Sequence, residues 1–217
     1  MKKYTIAIID EEVDQRDQFE FVFDKLFNVI KISSFDTIEN LIGLIKSENI
    51  DAMAIDYRLT EHDSAFNDNG DFFFKEIRKN LFEFPVFILT RDSEEIKKTC
   101  KTVDPSFIVD KLNINYGKGD GEREKEEAFL DSINTKISIY KNNLQEKIDR
   151  LSELEIIRKN NPENFINVES EYINLNFELS KYISGANLAV TYFTKASNDK
   201  LDALISKTED ILKKLEE

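Results

Sequence analysis

The chain has 217 residues, of which 41% are hydrophobic, enough for one large domain or a globular domain with a smaller appendage. Its net charge is −13, with −8 over residues 1–120 and −5 over 121–217, so neither half carries the basic excess that binding to nucleic acid normally uses. A single cysteine, Cys100, excludes an internal disulfide and a cysteine-based zinc site, and six glycines with three prolines argue against a loop-rich all-β protein.

The chain begins with an apolar run at residues 4–9 that ends in Asp10 and Glu11. That run is too short for the apolar core of a signal peptide, and no stretch approaches the roughly 20 apolar residues of a membrane helix. A cytoplasmic protein is the simple expectation. Residues 13–27 follow with Phe19, Val22, Phe23 and Leu26 at helical spacing. Asn28–Ile32 is short and β-branched. Asp36 with Glu39 three residues on reads as a capping box, opening a helix with Ile38, Leu41, Ile42 and Ile45 on its apolar stripe. Residues 51–55 form the next strand, ending at Asp56. A helix over 71–81 turns Phe73, Phe74, Ile77 and Leu81 inward. A strand over 84–89 ends at Thr90, a polar helix spans 92–100, and a last strand at 106–109 precedes Asp110 and Lys111.

Five apolar strands alternating with amphipathic helices predict an α/β fold with a parallel sheet covered on both faces. In such sheets the site lies beyond the carboxyl ends of the strands. The polar residues there are Asp10 and Glu11, Asp56, Thr90 and Lys111. Clustered carboxylates repel one another unless a cation stands among them, and oxygen-only ligands suit Mg²⁺. A carboxylate such as Asp56 can act as a covalent nucleophile, and a Lys111 ammonium can offset charge on a transferring phosphoryl group.

This set resembles the receiver domain of two-component response regulators over about residues 1–120. The resemblance implies a flavodoxin-like, doubly wound five-stranded parallel sheet. It implies a Mg²⁺-dependent transfer of a phosphoryl group to Asp56 from a sensor histidine kinase or phosphotransfer protein, with at most autophosphatase activity afterwards. Asp10, Glu11 (partly through water), Asp56 and the backbone carbonyl of Arg58 would hold the metal, and Thr90 would be the switch hydroxyl. Gly70 looks like the glycine before the third helix. A phosphate sink or relay, and a pseudo-receiver that is never phosphorylated, are the alternatives. An Asp-nucleophile phosphatase of another α/β family usually has an acid two residues after the nucleophile, where Arg58 stands here.

The chain departs from the family in four places. Asp56 and Gly70 are fourteen residues apart across an acidic loop that holds His62, the sole histidine. Arg91 is larger than the small residue often found after the threonine. Leu112 replaces a frequent proline. Neither Phe107 nor Ile108 is clearly the family's switch aromatic.

The remainder, residues 121–217, predicts an all-helical region. Phe129, Ile133, Ile137, Tyr140, Leu144, Ile148 and Leu151 recur in steps of three and four along one long helix that outruns the fifth helix of a receiver. Pro162 breaks it, residues 165–183 form a second helical segment, and Ser197 or Asn198 caps a third that runs to Leu215. Glycines 117, 119 and 121 lack the Lys-Ser/Thr of a P-loop. No helix-turn-helix with a basic recognition helix is present. The helices are expected to pack, to form a homodimer or to dock a protein partner.

Overall fold

The computed structural model describes residues 3–61, 66–114 and 120–184, which fall into two compact units, Met1–Asn142 and Asn143–Glu217. In the first, strands β1 (Thr5–Ile9), β2 (Asn28–Ile32), β3 (Ala52–Asp56), β4 (Val86–Thr90) and β5 (Ile108–Asp110) form one parallel sheet in the order β2-β1-β3-β4-β5. Between them run helices α1 (Val13–Phe23), α2 (Ile38–Ser47), α3 (Gly70–Asn80) and α4 (Ser93–Thr99). Helix α5 (Asp120–Asn160) follows and belongs to the first unit as far as Asn142.

The two-residue period of the strands sorts their side chains onto two faces. Ala7, Ile9, Met53, Ile55, Val86 and Ile88 pack beneath α2, α3 and α4 with Leu41, Ile45, Phe73, Phe74, Ile77 and Ile96. Ile6, Ile8, Ala52, Ala54, Phe87 and Leu89 pack on the other face against Phe19, Val22 and Phe23 of α1 and Leu130, Ile133 and Ile137 of α5. Because both faces are covered, β1, β3 and β4 read as near-continuous apolar runs.

Several boundaries differ from the sequence expectation. Helix α1 stops at Phe23, and Phe27 closes the turn after it by donating its N–H to the Phe23 carbonyl at 2.8 Å. Thr37, not Asp36, caps α2: its hydroxyl accepts from the Asn40 N–H at 3.2 Å, and Glu39 plays no part. Strand β4 starts at Val86 because Pro85, lacking an N–H, serves the sheet only through its carbonyl, which accepts from Met53. Strand β5 starts two residues late, after a 3₁₀ turn at Pro105–Phe107.

In the second unit Leu154 of α5 packs with Phe165 of α6 (Pro162–Phe165) and Tyr172 of α7 (Glu169–Ser184). The single segment expected over 165–183 is thus two helices. Asn161 caps the first by accepting from Asn164 N–H, with Pro162 at the opening position. Tyr172 donates its hydroxyl to Glu155 at 2.5 Å, and Arg150 clasps Glu171 with Nε and Nη2 at 2.6 and 2.8 Å. His62, the glycine loop at 115–119 and the expected third helix lie outside the described residues.

One glycine is fixed by a close approach. A Cβ on Gly70 would stand 2.3 Å from the backbone oxygen of Asp56 and 3.1 Å from the Cα of Tyr57. Gly70 also donates its N–H to the Tyr57 carbonyl at 2.9 Å, so the start of α3 is laid directly on the chain leaving β3. Gly70→Ala must push α3 away and is expected to lower stability by about 1–3 kcal/mol. Guanidinium unfolding curves measure this, and an unchanged midpoint would show that α3 can shift without loss.

Candidate functional site

The sheet register brings the strand-end residues together. Ile9 pairs with Ile55, which sets Asp10 beside Asp56. Asp56 pairs with Leu89 and Thr90 with Asp110, which places Thr90 and then Lys111 on the same edge. Glu11, Asp56, Arg58, Thr90, Arg91 and Lys111 all line one cavity of about 180 Å³.

Lys111 is the centre of the site. Its ammonium lies 2.5 Å from Asp56 Oδ1 and 3.0 Å from Asp10 Oδ2. Asp10 and Asp56 are 1% and 6% exposed, so these charges meet away from bulk water. Burial works against the charge on Lys111, but the two aspartates outweigh it and hold its pKa above the ordinary value. Burial raises the pKa of Asp10, with the Asp56 charge adding to the rise and Lys111 opposing it.

The second oxygens of the two aspartates are fixed by backbone. Glu12 donates its N–H to Asp10 Oδ1 at 3.0 Å, and Arg58 donates its N–H to Asp56 Oδ2 at 2.8 Å. Thr90 is buried and its hydroxyl oxygen accepts from Asp92 N–H at 3.1 Å. That bond uses a lone pair and leaves the hydroxyl hydrogen for another acceptor.

Glu11 is different. Its Oε2 is buried with no hydrogen-bond partner. Burial, with Asp56 and Asp10 adding to it, pushes its pKa up to about 7. Among the described residues no three metal-ligating side chains are already grouped for a metal ion; Asp10 and Asp56 are gathered on Lys111 instead.

Three features went unseen in the sequence. Arg16 of α1 donates to the backbone carbonyls of Asp10 and Glu11, holding the acidic turn from outside. Asp92 receives the Arg58 guanidinium at 2.7 Å. Ser93 donates its hydroxyl to Asp110 Oδ2 at 2.8 Å, tying the start of α4 to the end of β5. Only the first left a signal, a basic residue one helical turn and a half past an acidic strand end. Phe107 packs edge-on to Phe74 and tilted against Phe87, with ring centroids 6.1 and 5.5 Å away, under the cations of Arg78 and Lys136.

No family model matches the chain, and no curated protein does. Among solved structures, a fusion carrying a trimeric coiled-coil segment of yeast Spc42 is similar at 18% identity, covering 80% of this chain and 99% of that one, with a TM-score of 0.50. A response regulator receiver domain protein from Clostridium thermocellum is similar at 17% identity over 64% of this chain and 97% of that one, TM-score 0.46. Full-length FixJ from B. japonicum is similar at 16% identity over 89% of this chain and 85% of that one, TM-score 0.45. With a parallel sheet ordered β2-β1-β3-β4-β5, helices on both faces, and Asp10, Asp56, Thr90 and Lys111 at one edge, the first unit has the fold of a response-regulator receiver domain.

Proposed function

We propose that the chain is a cytoplasmic response regulator that accepts a phosphoryl group on Asp56. The donor would be the phosphohistidine of a sensor histidine kinase or phosphotransfer protein. The observation that carries this reading is the double pairing of Lys111 with Asp10 and Asp56, with Lys111, Asp56 and Thr90 lining one cavity.

In the reaction an Asp56 carboxylate oxygen forms a bond to phosphorus. The bond from phosphorus to the donor imidazole nitrogen breaks, and its electron pair stays on that nitrogen. Lys111 is placed to turn from the carboxylates to the incoming phosphoryl oxygens, and Thr90 can donate its hydroxyl hydrogen to one of them. Hydrolysis of the acyl phosphate returns the carboxylate.

Mg²⁺ fits the residues present. The donors are all oxygens, and the unpartnered buried Oε2 of Glu11 is a carboxylate oxygen in want of a cation. Asp10, Glu11, Asp56 and the Arg58 carbonyl would hold it. When bound, Mg²⁺ supplies positive charge against the phosphoryl oxygens. Lys111 competes for the same two aspartates, so the metal must share them with it.

The second unit is read as the output region, acting by protein contact, pairing with a second copy of the chain included. Both halves are acidic, which disfavours nucleic acid, and among the described residues no helix is long and apolar enough to cross a membrane.

Acetyl phosphate with Mg²⁺ is expected to add one phosphoryl group by intact mass, and Asp56→Asn to abolish the gain. A wild type left unmodified by this donor and by beryllofluoride would make the chain a pseudo-receiver. For Glu11, neutralising a buried unpaired charge should stabilise the metal-free protein. Glu11→Gln in chelator is expected to raise the melting temperature by a few degrees, at about 2–4 °C per kcal/mol, while weakening Mg²⁺ binding. Calorimetry with and without Mg²⁺ measures both, and a lower melting temperature in chelator would contradict the liability assigned to Glu11.

A further inference from the structure

Asp92 is the N-cap residue of α4, yet its side chain makes no capping bond. Aspartate at that position ordinarily accepts from the amides of the first turn. Here its carboxylate accepts instead from Arg58 Nη2 at 2.7 Å. A second carboxylate, Glu61, accepts from Nη1 of the same guanidinium at 3.4 Å. The Arg58 and Asp92 side chains are 50% and 46% exposed. An ion pair so exposed contributes little, and no more than the cap it displaces.

Arg58 is also fastened to the reacting residue. Its backbone N–H donates to Asp56 Oδ2, and Arg58, Glu61, Asp92 and Asp56 line the same cavity. Lys111 is already engaged by Asp10 and Asp56, whereas among the described residues the Arg58 fork is held by two exposed carboxylates, Glu61 and Asp92. A phosphoryl group on Asp56 would bring about −1.5 to −2 charges and three acceptor oxygens into that cavity. Guanidinium groups bind phosphate in bidentate fashion, more strongly than an exposed carboxylate.

We propose that the Arg58 side chain is a phosphoryl-binding group held in reserve by Asp92. When Asp56 carries a phosphoryl group, Arg58 exchanges Asp92 for the phosphoryl oxygens, and the released Asp92 carboxylate turns to cap α4. The exchange rests on the phosphoacceptor reading of Asp56. It assigns a role to the guanidinium, where the receiver resemblance involves only the Arg58 backbone carbonyl. It also gives Glu61, in the loop after Asp56, a use, since it holds the other arm of the fork.

Asp92 and the phosphoryl group compete for Arg58, so Asp92 lowers the affinity for a phosphoryl mimic. The test titrates the full chain with beryllofluoride in Mg²⁺, followed by fluorine NMR. Asp92→Asn keeps a good capping side chain and removes the competing charge. It is expected to tighten binding about three- to tenfold, and Arg58→Met to weaken it by a similar factor. In the double variant the Asp92→Asn effect should vanish. Arg58→Lys keeps the charge without the fork and should weaken binding less than Arg58→Met. If Asp92→Asn tightens binding equally with and without Arg58, the effect is net charge alone and the exchange is wrong. If wild type binds, Asp56→Asn does not, and neither Arg58 nor Asp92 changes the affinity, the exchange falls while the Asp56 reading stands. No binding by wild type overturns both.

Discussion

One ammonium group holds the site together. Lys111 leaves the end of β5 and reaches past β4 to two aspartates on β1 and β3, at 3.0 and 2.5 Å. Both carboxylates are buried, and together with the ammonium they leave a net negative charge in the interior. Buried ion pairs seldom add stability over apolar residues of the same size, because desolvation offsets much of the attraction. A cluster of this sort, beside an unpartnered Glu11 oxygen, is better understood as a cost borne for chemistry. The sheet supplies the constraint that makes it tolerable. Register alone sets Asp10 beside Asp56 and Thr90 one strand over, so the charges need no further device to find each other.

What happens after Asp56 follows from the same crowding. The chain leaves β3, and α3 begins on top of it, with Gly70 closer to the Asp56 carbonyl than any side chain permits. Gly70 secures that contact by donating its N–H to the Tyr57 carbonyl. Arg58 is thereby pinned by its N–H to one Asp56 oxygen while its guanidinium lies at the cavity rim between Glu61 and Asp92. The loop thus sets one carboxylate, Glu61, on the arginine that follows Asp56, and the turn after β4 sets the other, Asp92.

How much of this could be read from the chain depends on the range of each interaction. The strand ends were legible because an acid after an apolar run is a local pattern repeated along the sequence. Helix capping was legible only to within a residue, since Asp36 and Thr37 are both good caps and the fold chose the second. The apolar stripe of α5 foretold the burial of Ile133 and Ile137, but further along Leu154 takes the central place while Ile148 is exposed. A straight helix drifts against a strict repeat, and the covering helix decides which residue is inward. Arg58 with Asp92, 34 residues apart, and Lys25 with the buried Glu126, 101 apart, left no trace at all. Their pairing exists only once the loops are placed.

The placement of Phe107 decides where a signal could leave the site. It stands before β5, at the end of that strand away from Lys111, wedged among Phe74 and Phe87 with Arg78 and Lys136 over its ring. Phe107 is partly buried and packs against the core clusters of both faces, so its rotation would disturb packing on both faces of the sheet. A polar route starts at Thr90, which lines the same cavity as Asp56. Thr90 accepts from Asp92 N–H, the adjacent Ser93 donates to Asp110 Oδ2, and Asp110 Oδ1 accepts from Leu112 N–H. That chain joins the ends of β4 and β5 through the first residues of α4. Helix α4 has seven residues and no side-chain cap, which makes it the element least able to resist a change at Asp92. A phosphoryl group on Asp56 would therefore be felt first at α4 and the turn after Lys111, by exchange of hydrogen bonds and not by repacking of the core.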